Sequence, residues 1–221
     1  MKLRTSGILT LLLFVLLGYT GMNTGSQQAE ETKLGNQQGI EILQELLPKA
    51  EVFAANVFNG SGSFQEEWTQ TIPSEPQYAL VTGEKTRMKL GIGDIRSIAE
   101  LKQAVEKVYT KEAAEKLFYS RYLAGDADLP LYKDYEGKLY VDTHNGGHGY
   151  SNEFLYDTVK VKSQQGNRVT LTIETLVLDE PYGRMLVAIE NVNGEWRMAS
   201  GFDDYELIYY LVTLKLQGII F

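Results

Sequence analysis

The chain contains no cysteine, and this absence excludes several kinds of chemistry at once. Without a thiol there can be no disulfide, no iron–sulfur cluster, no thiolate zinc site and no cysteine nucleophile. A seryl nucleophile has no support either, because the chain has no Gly-x-Ser-x-Gly motif and its two histidines lie close together. The sequence therefore predicts a fold that is stabilised by packing alone, which a chain of 221 residues can achieve.

Basic residues are too few to balance the acidic ones, with 21 Lys and Arg against 29 Asp and Glu. Residues 1–19 hold two of the basic residues and no acidic residue, so the rest carries 19 basic and 29 acidic residues, a net charge of −10. An anionic surface repels phosphate backbones, which argues against a nucleic-acid partner. An acidic surface suits a cationic partner protein. The same charge is also explained if it only keeps an exported protein soluble.

The N-terminus carries one short apolar run, Ile8 to Leu17, which follows the basic residues Lys2 and Arg4. A membrane-spanning helix needs roughly 20 apolar residues, whereas a basic start and an apolar run of roughly 7–15 residues are typical of a secretory signal peptide. We therefore expect residues 1–19 to be a signal peptide. The protein is then exported, and is extracellular or associated with the cell wall.

The end of this signal, Leu16-Leu17-Gly18-Tyr19, resembles a bacterial lipoprotein signal in which Tyr19 replaces the cysteine that would carry the lipid. Without that thiol, no stable lipid anchor is expected by this route. Two alternatives stay open: the protein is released, or the apolar segment remains uncleaved and anchors it.

Composition and periodicity divide the rest of the chain in two. Residues 20–39 are polar and predict a flexible tether, because so few apolar groups cannot offset the entropy of ordering. Residues 40–221 have the size of one domain. Apolar spacings of three and four predict a first helix over 40–58, interrupted or restarted at Pro48. Capping residues Ser97 and Thr110 predict two further helices in a hairpin.

In the second half of the domain, apolar and polar residues alternate as they do in antiparallel strands. Turn signals stand at Glu136-Gly137, Gln165-Gly166-Asn167 and Asn193-Gly194. The predicted fold class is therefore α+β, with an N-terminal helix and an αα-hairpin packed on a C-terminal antiparallel sheet. The apolar tail over 207–221 fits a last core strand, with membrane association as the alternative.

Both histidines lie in the glycine-rich segment that runs from Asp142 to Gly149. His144 and His148 beside the Asp142 carboxylate could hold zinc or copper with an open position, which would make the chain a metal-dependent hydrolase. A glycine-rich loop between strands explains the same residues without a metal. We therefore expect no metal and no other cofactor.

Acidic and aromatic residues crowd the stretch before this loop. Tyrosine rimmed by acids is typical of surfaces that contact protein or glycan, whereas half-buried sheet packing and a solvated acidic loop are the simpler interpretations. The candidate partner-binding residues are Asp126, Asp128, Asp134, Glu136, Tyr132 and Tyr135.

Several landmarks together point to a family. They are Ser97–Lys102 (SIAELK), Val108–Leu117 (VYTKEAAEKL), Gly137–Val141 (GKLYV), the glycine-rich loop at 146–149 and Val192–Arg197 (VNGEWR). Over roughly residues 40–205 the chain resembles exported proteins related to the IseA inhibitor of cell-wall DL-endopeptidases. No short motif fixes an alignment, so the resemblance transfers no contact residue.

The resemblance implies a non-enzymatic protein that occludes the active cleft of peptidoglycan hydrolases of the NlpC/P60 type. Those hydrolases use a catalytic cysteine and act on the stem peptide, so an acidic lobe could mimic the carboxylates of the substrate. The Asn-Gly-x-Trp-Arg ending also occurs in cystatin-like and NTF2-like exported domains. The alternative is therefore an extracytoplasmic ligand-binding or sensory domain with a pocket between its sheet and helices.

Overall fold

The computed structural model describes residues 33–59, 64–84, 94–144 and 153–206. The predicted signal peptide, most of the tether, His148 and the apolar tail lie outside these ranges. Helix α1 (Asn36–Glu51) continues into a π-helical segment (Val52–Val57), and α2 (Ile98–Glu106) is followed by α3 (Lys111–Ala114), a second π-helical segment (Glu115–Tyr119) and α4 (Ser120–Tyr122). The strands are β1 (Phe64–Ile72), β2 (Glu75–Glu84), β3 (Tyr132–Tyr135), β4 (Lys138–Asp142), β5 (Glu153–Gln165), β6 (Arg168–Val177), β7 (Glu180–Val192) and β8 (Glu195–Met198). The predicted α+β class is confirmed.

The strands form two antiparallel sheets, where the sequence predicted a single C-terminal one. The first has the order β1-β2-β4-β3, and the second is a meander with the order β5-β6-β7-β8. Two of the predicted hairpin turns have positive φ at both central residues, which are Glu136 and Gly137 in one and Asn193 and Gly194 in the other. Such turns match the right-handed twist of the strands that they join.

Helix α1 lies against the inner face of the second sheet and begins at Asn36, earlier than predicted. The Asn36 side chain accepts a hydrogen bond from the backbone N–H of Val161 in β5 at 2.9 Å, which ties this end of the helix to the sheet. A Cβ atom on Gly39 would lie 2.7 Å from Leu171 Cδ2. The close approach of helix and sheet therefore depends on a glycine at position 39.

The helix runs through Pro48 without ending there, and the change in its geometry comes four residues later. The backbone N–H of Val52 still bonds to the Pro48 carbonyl, and from Val52 the chain follows π-helical geometry until Val57. Its apolar side chains, among them Leu43 and Leu47, are fully buried in a core cluster that also includes residues from both sheets.

Both N-caps predicted for the helical hairpin are confirmed. The Ser97 hydroxyl accepts from the backbone N–H of Glu100 at 3.1 Å, and the Thr110 hydroxyl accepts from that of Ala113 at 3.2 Å. Between the two helices the chain bonds to β8, because the Thr110 N–H donates to the Met198 carbonyl at 2.8 Å. The hairpin is thus fastened to the edge of the second sheet.

Within the described ranges, no helix is both long and apolar enough to cross a membrane.

Oppositely charged side chains form a network of hydrogen-bonded ion pairs on the outer face of the second sheet. Glu206 bonds to Lys162 at 3.0 Å and to Arg184 at 3.4 Å, and Arg184 also bonds to Glu174 at 3.0 Å. The hydrogen bond from Lys162 lowers the pKa of the Glu206 carboxyl, while the bonds to Glu174 and Glu206 raise the pKa of Arg184. This network holds the segment after β8 alongside β7.

Candidate functional site

The loop that joins α4 to β3 is closed by backbone hydrogen bonds at its base. The N–H of Ala124 donates to the Tyr132 carbonyl at 3.0 Å, and the N–H groups of Asp126 and Ala127 donate to the Leu123 carbonyl at 3.1 and 3.0 Å. We call residues 124–131 the acidic loop. Because both ends of this loop are bonded to each other, its path is fixed before any partner arrives.

Side chains from the helical hairpin and from β2 hold the acidic loop from two further directions. The Tyr78 hydroxyl donates to the Pro130 carbonyl at 2.5 Å, and Lys102 forms an ion pair with Asp126 at 2.9 Å. The same Lys102 ammonium group lies 4.6 Å from the centroid of the Tyr119 ring, where a cation–π contact adds to the ion pair. The loop is therefore preorganised.

The tip of the acidic loop exposes an apolar side chain between Asp128 and Pro130. Leu129 is 87% exposed, although the Pro130 that follows it is buried. Asp128, directly before it, is also exposed. A single exposed leucine is common and does not by itself mark an interface, but Leu129 stands on a bonded loop, which gives it the fixed position that an anchor residue needs.

Tyr132, predicted as a partner contact, is a core residue. Its side chain is only 2% exposed, and its hydroxyl donates to the Val57 carbonyl at 2.7 Å. Burial raises the pKa of the Tyr132 phenol far above its usual range. The ring packs edge-on against Phe58 and Phe64. The prediction for this residue is therefore corrected: Tyr132 joins the acidic loop to the core and offers no surface to a partner.

The other predicted partner-binding residues divide between structural and surface positions. Asp134 accepts the backbone N–H of Ile98 at 2.9 Å and so caps the first turn of α2. Tyr135 is half-buried, with its ring 5.9 Å from that of Tyr140, and Glu136 lies exposed in the β3–β4 turn. The negative charge of Glu136 raises the pKa of the Tyr135 phenol. Asp128 and Glu136 are thus the acids best placed to meet a partner.

The candidate metal ligands are only partly within the described residues. The Asp142 carboxylate accepts the backbone N–H of His144 at 2.9 Å, which makes it part of a local turn after β4. His144 is exposed, and His148 lies outside the described ranges. In the part of the chain that the structure describes, no three His, Asp or Glu side chains come together in a group that could hold a metal ion.

A second feature of the molecule is a cleft of about 520 Å³ between the helices and the segment that follows β8. Both π-helical segments contribute to it. Phe58 comes directly after the first segment and Phe118 belongs to the second, and their rings stack 4.5 Å apart at an interplanar angle of 12°. Tyr122 and Tyr182 extend the same aromatic lining. We call this the aromatic cleft.

Three charged side chains lie along the aromatic cleft, namely Glu51, Arg121 and Asp203. The Arg121 guanidinium lies 5.3 Å from the centroid of the Tyr122 ring. Burial, and in second place the charge of Glu51, raises the pKa of the Tyr109 phenol in the wall of the cleft. The cleft is therefore lined by aromatic side chains together with two acidic residues and one basic residue.

Sequence reasoning missed the residues that define both features. Leu129 is a lone apolar residue in a loop, and nothing in its spacing distinguishes it from a residue that packs inward. Phe58 and Phe118 sit at helical spacings that predict a core face, and this prediction is confirmed, since both side chains are buried. The sequence did not signal the π-helical geometry of the two segments beside the cleft.

The comparisons with known proteins add no constraint from relatives, because no family model and no curated protein matches this chain.

Proposed function

We propose that this chain is a non-enzymatic, exported binding protein that restrains peptidoglycan DL-endopeptidases of the NlpC/P60 type by occluding their active cleft. The observation that carries the proposal is the preorganised acidic loop, which presents Leu129 beside Asp128. The resemblance described above suggests the class of partner. The loop suggests how such a partner is engaged.

The physical case for insertion of this loop rests on entropy and on charge. Ordering a loop on binding costs affinity, so a loop already held by the bonds of Ala124, Pro130 and Asp126 avoids most of that cost. Leu129 would fill an apolar subsite, and desolvating an exposed leucine stabilises the complex by roughly 1.5–3 kcal/mol. The Asp128 carboxylate would occupy the place of a stem-peptide carboxylate, which gives the loop its preference for cationic clefts.

The direct test is hydrolysis of purified cell walls by an NlpC/P60 endopeptidase, with the full chain added at rising concentration. We expect hydrolysis to fall in proportion to the added chain and to stop near one chain per enzyme, since an occluded cleft turns over no substrate. The control is a muramidase that cuts the glycan strands of the same walls and should be unaffected. Undiminished endopeptidase activity with a folded chain in excess would rule the proposal out.

A ligand-binding or sensory domain is the second candidate function, and the aromatic cleft favours it. Cofactor and small-molecule sites are concave, mostly apolar and about 300–1,000 Å³ in volume. The volume of the cleft lies within that range, although its lining mixes polar and apolar groups, and the two π-helical segments that line it are a kind of irregularity often found at functional sites. The two functions do not exclude each other, because one uses the acidic loop and the other uses the cleft.

A further inference from the structure

We propose that a bulge in strand β1 is a docking surface for a basic protein segment, with an arginine or lysine of that segment against the Trp68 ring. We call residues 66–70 the tryptophan bulge. It belongs to the first sheet and contains no residue of the acidic loop or of the aromatic cleft. The inference therefore goes beyond both of the functions proposed above.

The tryptophan bulge departs from the regular pairing of β1 with β2. Glu67 and Thr71 pair with consecutive residues of β2, so the three residues between them have no partner in that strand. All three, Trp68 to Gln70, are exposed. Extra residues in one strand of a pair bend that strand and re-aim its side chains, and such bulges are over-represented next to active sites. Here the bulge leaves the Trp68 side chain 65% exposed.

The side chain of Glu67 holds the bulge in its shape. One of its carboxylate oxygens accepts a hydrogen bond from the Thr69 hydroxyl at 2.6 Å and another from the Thr69 backbone N–H at 3.1 Å. These two bonds lower the pKa of the Glu67 carboxyl, which is therefore charged at neutral pH. Because the backbone next to Trp68 is already bonded before a partner arrives, less conformational entropy is lost on binding.

The Trp68 ring is open to a partner on the side of the solvent. None of the ring-stacking or cation–π contacts among the described residues involves it. The other tryptophan, Trp196, is half-buried and packs against the core. Tryptophan is enriched among the residues that dominate protein interfaces, and its ring attracts cations more strongly than that of tyrosine or phenylalanine.

The charges around the bulge favour a basic partner. Residues 64–84, which form β1, β2 and their turn, contain four Glu and no Lys or Arg. Glu75 is paired with Lys133 of β3, whereas Glu66 and Glu67 belong to the bulge itself. A polyanion would be repelled here. A second copy of the chain, docked through the same surface, would bring the same glutamates together. The complementary partner is therefore a cationic segment of another protein.

The position of the bulge at a sheet edge decides how such a segment is held. Among the described strands, β1 pairs only with β2 and lies at the edge of its sheet. Bulges keep an edge from pairing with a long flat strand, so a continuous backbone ladder with the partner is not expected. The side chains of the tryptophan bulge supply the contacts instead. Binding should therefore depend on Trp68 and on the partner's charge.

The place of binding is tested by the fluorescence of Trp68. The chain has two tryptophans, so the variant Trp196→Phe keeps Trp68 as the sole reporter. The probes are a short peptide of alternating arginine and glycine, its glutamate counterpart, and a soluble oligomer of N-acetylglucosamine. We expect the arginine peptide to change the Trp68 emission saturably and to shield the ring from acrylamide, and the other two probes to do neither. Added salt should weaken the arginine peptide, because exposed charges are screened.

Calorimetry with variants of the full chain measures what each group contributes. Trp68→Ala should weaken the arginine peptide at least about tenfold, as expected for an anchor tryptophan, and should fold normally because the side chain is exposed. Glu67→Gln keeps an oxygen that can accept from Thr69 but removes the charge, and should weaken the peptide about threefold. The matched control is Glu153→Gln, which removes the same charge from an exposed residue of β5 and should leave the affinity unchanged.

The outcomes separate docking at the bulge from general attraction to an acidic chain. If the arginine peptide leaves the Trp68 emission unchanged, or binds Trp68→Ala as tightly as the parent chain, the inference is wrong. Shielding of Trp68 by the sugar oligomer and not by the peptide would make this a glycan surface and overturn the inference as well. Failure of every probe to bind the folded chain would also refute it. None of these results bears on the acidic loop or the aromatic cleft, because the variants lie outside both.

Discussion

Replacing Tyr132 by alanine is expected to lower the free energy of unfolding by about 3–5 kcal/mol, the range typical of a large aromatic side chain removed from a core. The ring fills the space between Phe58 and Phe64, so its loss leaves a cavity at the meeting point of helix and sheet. Tyr132→Phe should cost about 1–3 kcal/mol, because the Val57 carbonyl at the end of the first π-helical segment loses its donor in a buried place. Chemical denaturation followed by circular dichroism measures both changes.

Tyr135→Phe is the matched control for these variants, since Tyr135 lies three residues later and is only half-buried. Its effect on stability should stay within about 0.5 kcal/mol, as for most surface substitutions. If Tyr132→Ala were as stable as the parent chain and yet lost a partner, Tyr132 would be a contact residue after all. The assignment of this tyrosine to the core would then be wrong.

Replacing Leu129 by aspartate is expected to weaken inhibition of the endopeptidase about 30-fold or more, the effect of losing roughly 2 kcal/mol from an anchor residue. The substitution leaves a polar group where the proposal places an apolar subsite of the enzyme. It should not disturb folding, because the Leu129 side chain is 87% exposed. The inhibition constant from wall-hydrolysis assays, measured beside an unfolding curve, separates the two effects.

Leu178→Asp provides the matched control for Leu129→Asp. Leu178 is 91% exposed and also has an acidic neighbour, Asp179, but it lies in the β6–β7 turn. Inhibition by this variant should be unchanged. If Leu129→Asp and Leu178→Asp lost inhibition equally, the cause would be a general effect of surface apolarity. An unaltered inhibition constant for Leu129→Asp would remove the acidic loop from the proposed interface.

The sequence was most informative where local rules decide the conformation. Ser97 and Thr110 cap helices because their hydroxyls reach backbone N–H groups within the first turn, a contact set by three residues. The Asn193-Gly194 turn forms because both residues tolerate positive φ. By contrast, the β6–β7 turn places Leu178 and Asp179 at φ values of 54° and 64°, and the preference of aspartate for such values does not extend to leucine. That turn is imposed by the pairing of the two long strands.

The candidate site was harder to predict because strand alternation does not say which face is buried. In β3, Tyr132 and Asp134 share one face and Lys133 and Tyr135 share the other. Only the tertiary packing decides that Tyr132 enters the core, whereas Asp134 stays exposed and caps α2. The sequence thus identified an acidic stretch along the chain, whereas the division into buried, capping and exposed members required the tertiary structure.

The most direct test of the proposed function is the rate at which iodoacetamide alkylates the catalytic cysteine of an NlpC/P60 endopeptidase in the presence of the full chain. The chain contains no cysteine, so all of the alkylation detected by mass spectrometry belongs to the enzyme. If the acidic loop occludes the active cleft, saturating amounts of the chain should slow alkylation at least tenfold, and Leu129→Asp at the same concentration should protect far less. An unchanged alkylation rate in a complex that demonstrably forms would contradict occlusion of the cleft.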